Sequence, residues 1–131
     1  MNRHRGDRVP GISGYKGLLT VRCQVNDKYQ GRFLVDTGAR LTVISQTFAQ
    51  EMRLDITRPI RQIQIASAHR VDQSPVVRLS SLQVGDKRIN DLDVLIIALP
   101  SALRVDGLLG VNFLEKFRVT FEFDQATLVL R

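Results

Sequence analysis

Apolar and polar residues alternate along most of this chain in short stretches of period two, the spacing of strands with one buried face. Within 18–25, Leu19, Val21, Cys23 and Val25 fall on one side and Thr20, Arg22 and Gln24 on the other. Asn26-Asp27-Lys28 supplies turn chemistry for a hairpin into Tyr29–Val35. The apolar pattern resumes at 41–44. Ser45 then predicts the cap of a short helix over 47–53, with Phe48, Ala49 and Met52 on one side. At 60–65, Arg61, Ile63 and Ile65 alternate with Ile60, Gln62 and Gln64, which suits a strand with one apolar face. The small and polar stretch 66–72 and the strand pattern at 76–84 predict a hairpin with a long, mobile tip. Gly85-Asp86 signals a tight turn, 93–99 reads as a buried strand, and 100–104 breaks it after Pro100. A short helix is expected at 114–117. Val119, Phe121 and Phe123 then alternate with Thr120, Glu122 and Asp124 as a strand, and a turn at 124–125 leads to a last strand, Thr127–Leu130. Many short strands with little helix predict an all-β, barrel-like domain at 18–131. Residues 1–17, polar and glycine-bearing without periodicity, read as a flexible arm.

One stretch departs from simple alternation. Phe33-Leu34-Val35 fits a buried strand, and Asp36-Thr37-Gly38-Ala39 follows it with no polar lead-in. A carboxylate set between two core strands is costly to bury unless partners satisfy it. Gly38 lets a backbone amide come close to that carboxylate, and Thr37 adds a hydroxyl that can donate or accept. The pattern is that of a positioned acid.

The stretch 33–45, with Asp36-Thr37-Gly38-Ala39 followed by Thr42-Val43-Ile44-Ser45, resembles the active-site segment of aspartic proteases. Asp106-Gly107-Leu108-Leu109-Gly110 resembles the family's second segment, an apolar pair and glycine packed beneath the catalytic loop. One Asp-Thr-Gly in a short chain points to the retropepsin-like branch. The resemblance spans roughly 18–130. It implies a small closed barrel-like retropepsin (acid protease) fold with one or two short helices, no cofactor and no metal. Its implied activity is aspartic endopeptidase, hydrolysing an extended peptide or protein substrate. Peptide hydrolysis by water needs both a base and an acid, and aspartic proteases in general provide them as two adjoining carboxylates sharing a proton. With one such motif here, the resemblance implies a homodimer in which Asp36 of each copy supplies one carboxylate. It gives Thr37 the role of gripping the partner's loop and Gly38 that of donating an amide to the acid. It places Ala39, Ala66, Ser67, Ala68, His69 and Leu108 against substrate, with 66–69 at the tip of a flap. Asp106 lies in the supporting segment and is not catalytic. The C-terminal strand, 127–130, is expected at the dimer interface, paired with its mate, with the N-terminal segment as a further pairing partner. Three positions depart from the retroviral pattern: Arg40 stands in place of an aspartate, Val111 in place of an arginine, and His69 where glycine is common.

Composition narrows the alternatives. The chain has 131 residues, enough for one domain with a modest core, and 44% apolar against 24% charged residues marks it as globular. The net charge of +6 comes mostly from arginines scattered along the sequence, not clustered as in a nucleic-acid footprint. No apolar run is long enough to span a bilayer and residues 1–17 lack the apolar core of a secretory signal, so no membrane partner and a soluble, cytoplasmic location are expected. Cys23, the single cysteine, permits neither an intrachain disulfide nor a cysteine metal site, and its strand face predicts a buried thiol. The competing reading is a catalytically inactive dimerisation or peptide-binding module on the same fold.

Overall fold

The computed structural model describes residues 7–11, 18–66 and 68–131. Among these residues, ten strands and two short helices follow in the order β1 (Asp7–Pro10), β2 (Thr20–Val25), β3 (Tyr29–Val35), β4 (Thr42–Ser45), α1 (Gln46–Glu51), β5 (Arg61–Ala66), β6 (Val71–Val84), β7 (Lys87–Ile97), β8 (Gly107–Leu109), α2 (Val111–Leu114), β9 (Val119–Glu122) and β10 (Thr127–Leu130). Strands run in the hydrogen-bonded order β2-β3-β8-β4-β7-β6, and β6 closes back on β2 through Cys23↔Val84 and Val25↔Leu82. The result is a closed six-stranded barrel, the all-β architecture with two short helices expected from sequence. β5 hangs on the outer part of β6.

Alternation in the sequence becomes the barrel wall. Leu19, Val21, Cys23 and Val25 are all buried, joined inside by Phe33, Ile44, Leu79, Leu82, Val94, Ile96 and Leu109. Helix α1 starts where a side chain can cap it: Ser45 Oγ accepts from the Phe48 amide at 3.0 Å. It lays Phe48 edge-on against Phe33, with ring centroids 6.3 Å apart. The Asn26-Asp27 turn takes two left-handed residues, and the Asn26 carboxamide oxygen accepts from the amides of Ser80 and Ser81, tying this turn to β6. Gly85, at φ +61°, makes the two-residue turn from β6 to β7.

β8 is short but central. It runs parallel to β3 and antiparallel to β4, so two strands that do not bond each other are joined through Gly107–Leu109. β4 pairs on its other edge with β7, and all four of its residues are buried.

Several details differ from the sequence expectations. Residues 7–10, assigned to a flexible arm, form β1, which pairs with β10 from Asp7↔Leu130 to Pro10↔Thr127. Arg8 bridges Glu122 at 2.6 Å, and Asp7 accepts from the Asp86 amide at 2.7 Å. The rest of 1–17 lies outside the described residues. Within the chain β10 bonds β1 on one edge and β9 on the other, so the C-terminal strand pairs with the N-terminal segment. β6 starts at Val71, not 76, and pairs with β5 up to Ala66↔Val71, so the strands run further toward the tip than expected. α2 begins at Val111, three residues before the expected helix. Phe123 belongs to a 3-10 turn with 67% of its surface exposed, outside β9.

Candidate active site

The Asp36 loop leaves the barrel at the end of β3. The Asp36 amide still donates to Leu109 O at 3.0 Å, carrying the β3–β8 pairing one residue further. The chain then turns sharply, with the Ala39 amide on Asp36 O at 3.2 Å. Inside this turn the Gly38 amide donates to Asp36 Oδ1 at 2.9 Å, and a Cβ at Gly38 would lie 3.2 Å from that oxygen. A carboxylate that accepts a backbone N–H has its direction fixed and its charge partly satisfied. Asp36 is half-buried, while Thr37 and Gly38 are exposed beyond it.

The far side of the loop is fixed just as firmly. Val111 and Asn112 donate their amides to Ala39 O (2.8 Å) and Arg40 O (3.1 Å). The Asn112 carboxamide oxygen accepts from both the amide and the hydroxyl of the fully buried Thr42, at 2.8 and 2.9 Å. Its nitrogen donates to Asp93 O at 2.7 Å, and Thr42 Oγ1 accepts from the Gly110 amide at 3.1 Å. A side chain at Gly110 would put its Cβ 2.7 Å from the Leu41 carbonyl and 2.8 Å from Ala39 O, so only glycine lets the two segments approach this closely. Loop 36–41 is thus clamped by 109–112 and through Asn112 to β7.

Asp106 has no place in this arrangement. It pairs with Arg32 at the other end of β8, its carboxylate accepting the Arg32 amide at 2.9 Å. Four residues of strand separate its level from that of Asp36, about 13 Å. Cys23 is fully buried, and that burial pushes its thiol well above the usual range, so it offers no nucleophile.

Beside the Asp36 loop a groove of about 730 Å³ opens between Ala39-Arg40-Leu41 and β5. Its apolar wall is Leu41, Val43, Ile63, Ile65 and Leu95; Arg40, Arg61 and Glu115 are its charged members. Of the residues placed against substrate by the sequence, Ala39 lines this groove. Leu108, half-buried on β8, packs into the adjoining cluster with Val43 and Leu95. Ala66, Ala68 and His69 are exposed at the hairpin tip and line no part of it, and Ser67 lies outside the described residues. Sequence reasoning passed over the groove face of β5 and the Asn112 hub. The signal for the first was present in the Arg61/Ile63/Ile65 alternation.

With this geometry in hand, the chain was compared with known proteins. The sequence model of the family described as "gag-polyprotein putative aspartyl protease" matches residues 21–116, which include both the Asp36 loop and the 106–110 segment. The chain belongs to this aspartyl protease family. Among solved structures, a retropepsin-like aspartic protease from Rickettsia conorii superposes with a TM-score of 0.72 at 24% identity, covering 94% of this chain and 89% of that one. The likeness establishes the retropepsin-like fold. No curated protein sequence matched. The chain holds one Asp-Thr-Gly loop, set at one end of the barrel where β3 ends. Among its described residues, no helix is long and apolar enough to cross a membrane.

Proposed function

We propose that the chain is an aspartic endopeptidase that works as a homodimer, with water activated between two Asp36 carboxylates. The observation that carries this reading is the Asp36 carboxylate itself: aimed by the Gly38 amide, clamped from both sides, and set beside an open groove wide enough for side chains. In the working site one Asp36 takes a proton from water as the water oxygen attacks the peptide carbonyl. The other, protonated, donates to the carbonyl oxygen, and the departing amine then receives a proton from the pair. Thr37 and Gly38 hold the loop's shape, and Ala39, Leu108 and the hairpin tip 66–69 contact an extended peptide.

A two-fold arrangement of this kind requires a symmetry axis next to Asp36, so the surface around Thr37 must face its own copy. That surface supports the reading. Leu18 and Phe123 are exposed large apolar residues, Phe123 stacks on Phe121 at 5.7 Å, and both phenylalanines border a cavity of about 330 Å³ together with Val35 and Thr37. Side chains of this patch form part of that contact.

The test is Asp36→Asn, which keeps the shape and removes the shareable proton. Cleavage of an unstructured protein should disappear with the melting temperature unchanged. Activity of the unaltered chain should fall faster than linearly on dilution and follow a bell-shaped pH profile, because only the singly protonated pair works. Retained cleavage in the asparagine variant, or undiminished specific activity in a monomer, would reject this mechanism. Peptide binding with no cleavage at any pH would identify an inactive binding module instead.

A further inference from the structure

The groove beside the Asp36 loop carries a charge pattern that no part of the proposed chemistry uses. Arg40 leaves the loop four residues after Asp36, and Arg61 opens β5 on the opposite wall. Both are exposed, and neither guanidinium has an ion-pair or hydrogen-bond partner among the described residues, whereas Arg8, Arg78 and Arg88 each engage a carboxylate. Glu115 is the groove's single acid, so two positive charges face one negative charge across an apolar wall. A cleft with an excess of one sign and low-dielectric walls favours ligands of the opposite sign. Arginine stems can also lie along apolar surface while their heads stay available.

Spacing makes the pattern specific. Arg61, Ile63 and Ile65 share one face of β5 at a repeat of about 6.7 Å, the same repeat that separates alternate side chains of any extended peptide. An apolar side chain seated on Ile63, Leu41 and Val43 therefore brings the residue two positions along the peptide to the level of Arg61.

We propose that this groove selects extended peptide segments in which an aspartate or glutamate stands two positions from a bulky apolar residue, with Arg61 and Arg40 receiving the carboxylate. This inference rests on the reading that the groove holds the peptide. It does not depend on whether the peptide is cut. Ion pairs this exposed are individually weak, so a preference of about fivefold to tenfold is expected from the pair of arginines.

The test uses the Asp36→Asn variant of the whole 131-residue chain, so that binding is read without turnover. Fluorescence anisotropy is measured with three labelled octapeptides that contain Leu-x-Asp, Leu-x-Asn or Leu-x-Lys. The aspartate peptide should bind about fivefold to tenfold tighter than the asparagine one, and the lysine peptide weakest. The advantage should shrink in high salt and vanish in the Arg40→Ala/Arg61→Ala double variant, whose changes are both at exposed positions and leave the fold intact. Equal affinities, an advantage that survives in the double variant, or no binding of any peptide would each overturn the proposal. A parallel digest of a peptide mixture by the unaltered protein separates the two readings. Acid-selective binding without cleavage removes the peptidase and leaves the selectivity standing. Cleavage without acidic preference near the cut sites does the reverse.

Discussion

β4 and β5 look alike in sequence, each a short run built around two bulky β-branched residues, yet the fold treats them oppositely. Thr42–Ser45 is buried at every position, bonded to β7 on one edge and β8 on the other. Arg61–Ala66 has no buried position and bonds only β6. β4 lies where two layers meet: Ile44 points into the barrel core, and Val43 into the smaller cluster with Val76 and Leu95. β5 offers Ile63 and Ile65 to that second cluster only from above, as half-buried residues over an open groove. The two strands thus differ in how firmly packing fixes them. The floor that holds Asp36 is over-determined by packing and hydrogen bonds. The hairpin above it leaves Ile63 and Ile65 half-buried over the groove, and stability there is expected at the low end of the range within one structure.

The floor should therefore break hard when its closest approach is blocked. Gly110→Ala drives a methyl group to within 2.7 Å of the Leu41 backbone, where no flexible side chain can yield. Overpacking against backbone costs about 3 kcal/mol or more. We expect a fall in melting temperature of roughly 10 °C, together with loss of the Asp36 loop geometry and of any activity that depends on it. Differential scanning calorimetry checks the first and cleavage assays the second. A variant as stable as the parent would mean that 109–112 does not hold the loop.

The hairpin should respond in the opposite sense. Ile63→Ala removes a half-buried side chain from a strand with one bonded edge, so folding should weaken by only about 1 kcal/mol. Peptide affinity should fall by about fivefold, because the lost contact area faces the groove and not the core. Chemical denaturation and anisotropy titration on the same preparation give both numbers. A large stability loss with unchanged affinity would erase the distinction between β4 and β5.

The same contrast explains what could be read from the sequence. β2, β3 and the Ser45 cap were legible because their signals are local: alternation over six or seven residues and a capping side chain three residues from its partner amide. The Asp36 loop was legible as a polar interruption of an apolar run, and its family through the two segments around Asp36 and Gly110. β1 was not, because Asp7-Arg8-Val9-Pro10 buries only Val9 and owes its strand character to β10, more than a hundred residues away. The outer half of β6 was hidden by Asp72, Gln73, Ser74 and Pro75, polar or strand-breaking residues tolerated because β5 pairs beside them at the edge. The role of Asn112 needs the fold, since its three side-chain partners come from Thr42 and Asp93, 70 and 19 residues distant.

The smallest expected effect concerns how the barrel is closed at the end away from the hairpin tip. Arg88 on β7 bonds both carboxylate oxygens of Asp27, joining the β2–β3 turn to the β6–β7 hairpin across 61 residues. The exposed pair on the β5–β6 hairpin, Arg70 with Asp72 at 2.7 Å, spans only two residues. The hydrogen bond from Arg88 comes first, with the guanidinium charge assisting, and together they hold Asp27 below the ordinary carboxylate range against an opposing desolvation. A carboxyl held lower in the folded state than in the unfolded chain adds stability above its unfolded value, about pH 4, and loses that stability as pH falls through its folded value. Asp27 is exposed, so the effect is slight and weakens with salt. Thermal melts from pH 6 down to pH 2 should show a drop in midpoint below about pH 4 that is shallower in Arg88→Ala, while Arg70→Ala leaves the curve unchanged. Identical acid limbs in the parent and Arg88→Ala would remove this bridge from the account of barrel closure. An equal change in Arg70→Ala would show that sequence span has no bearing on what an exposed pair contributes.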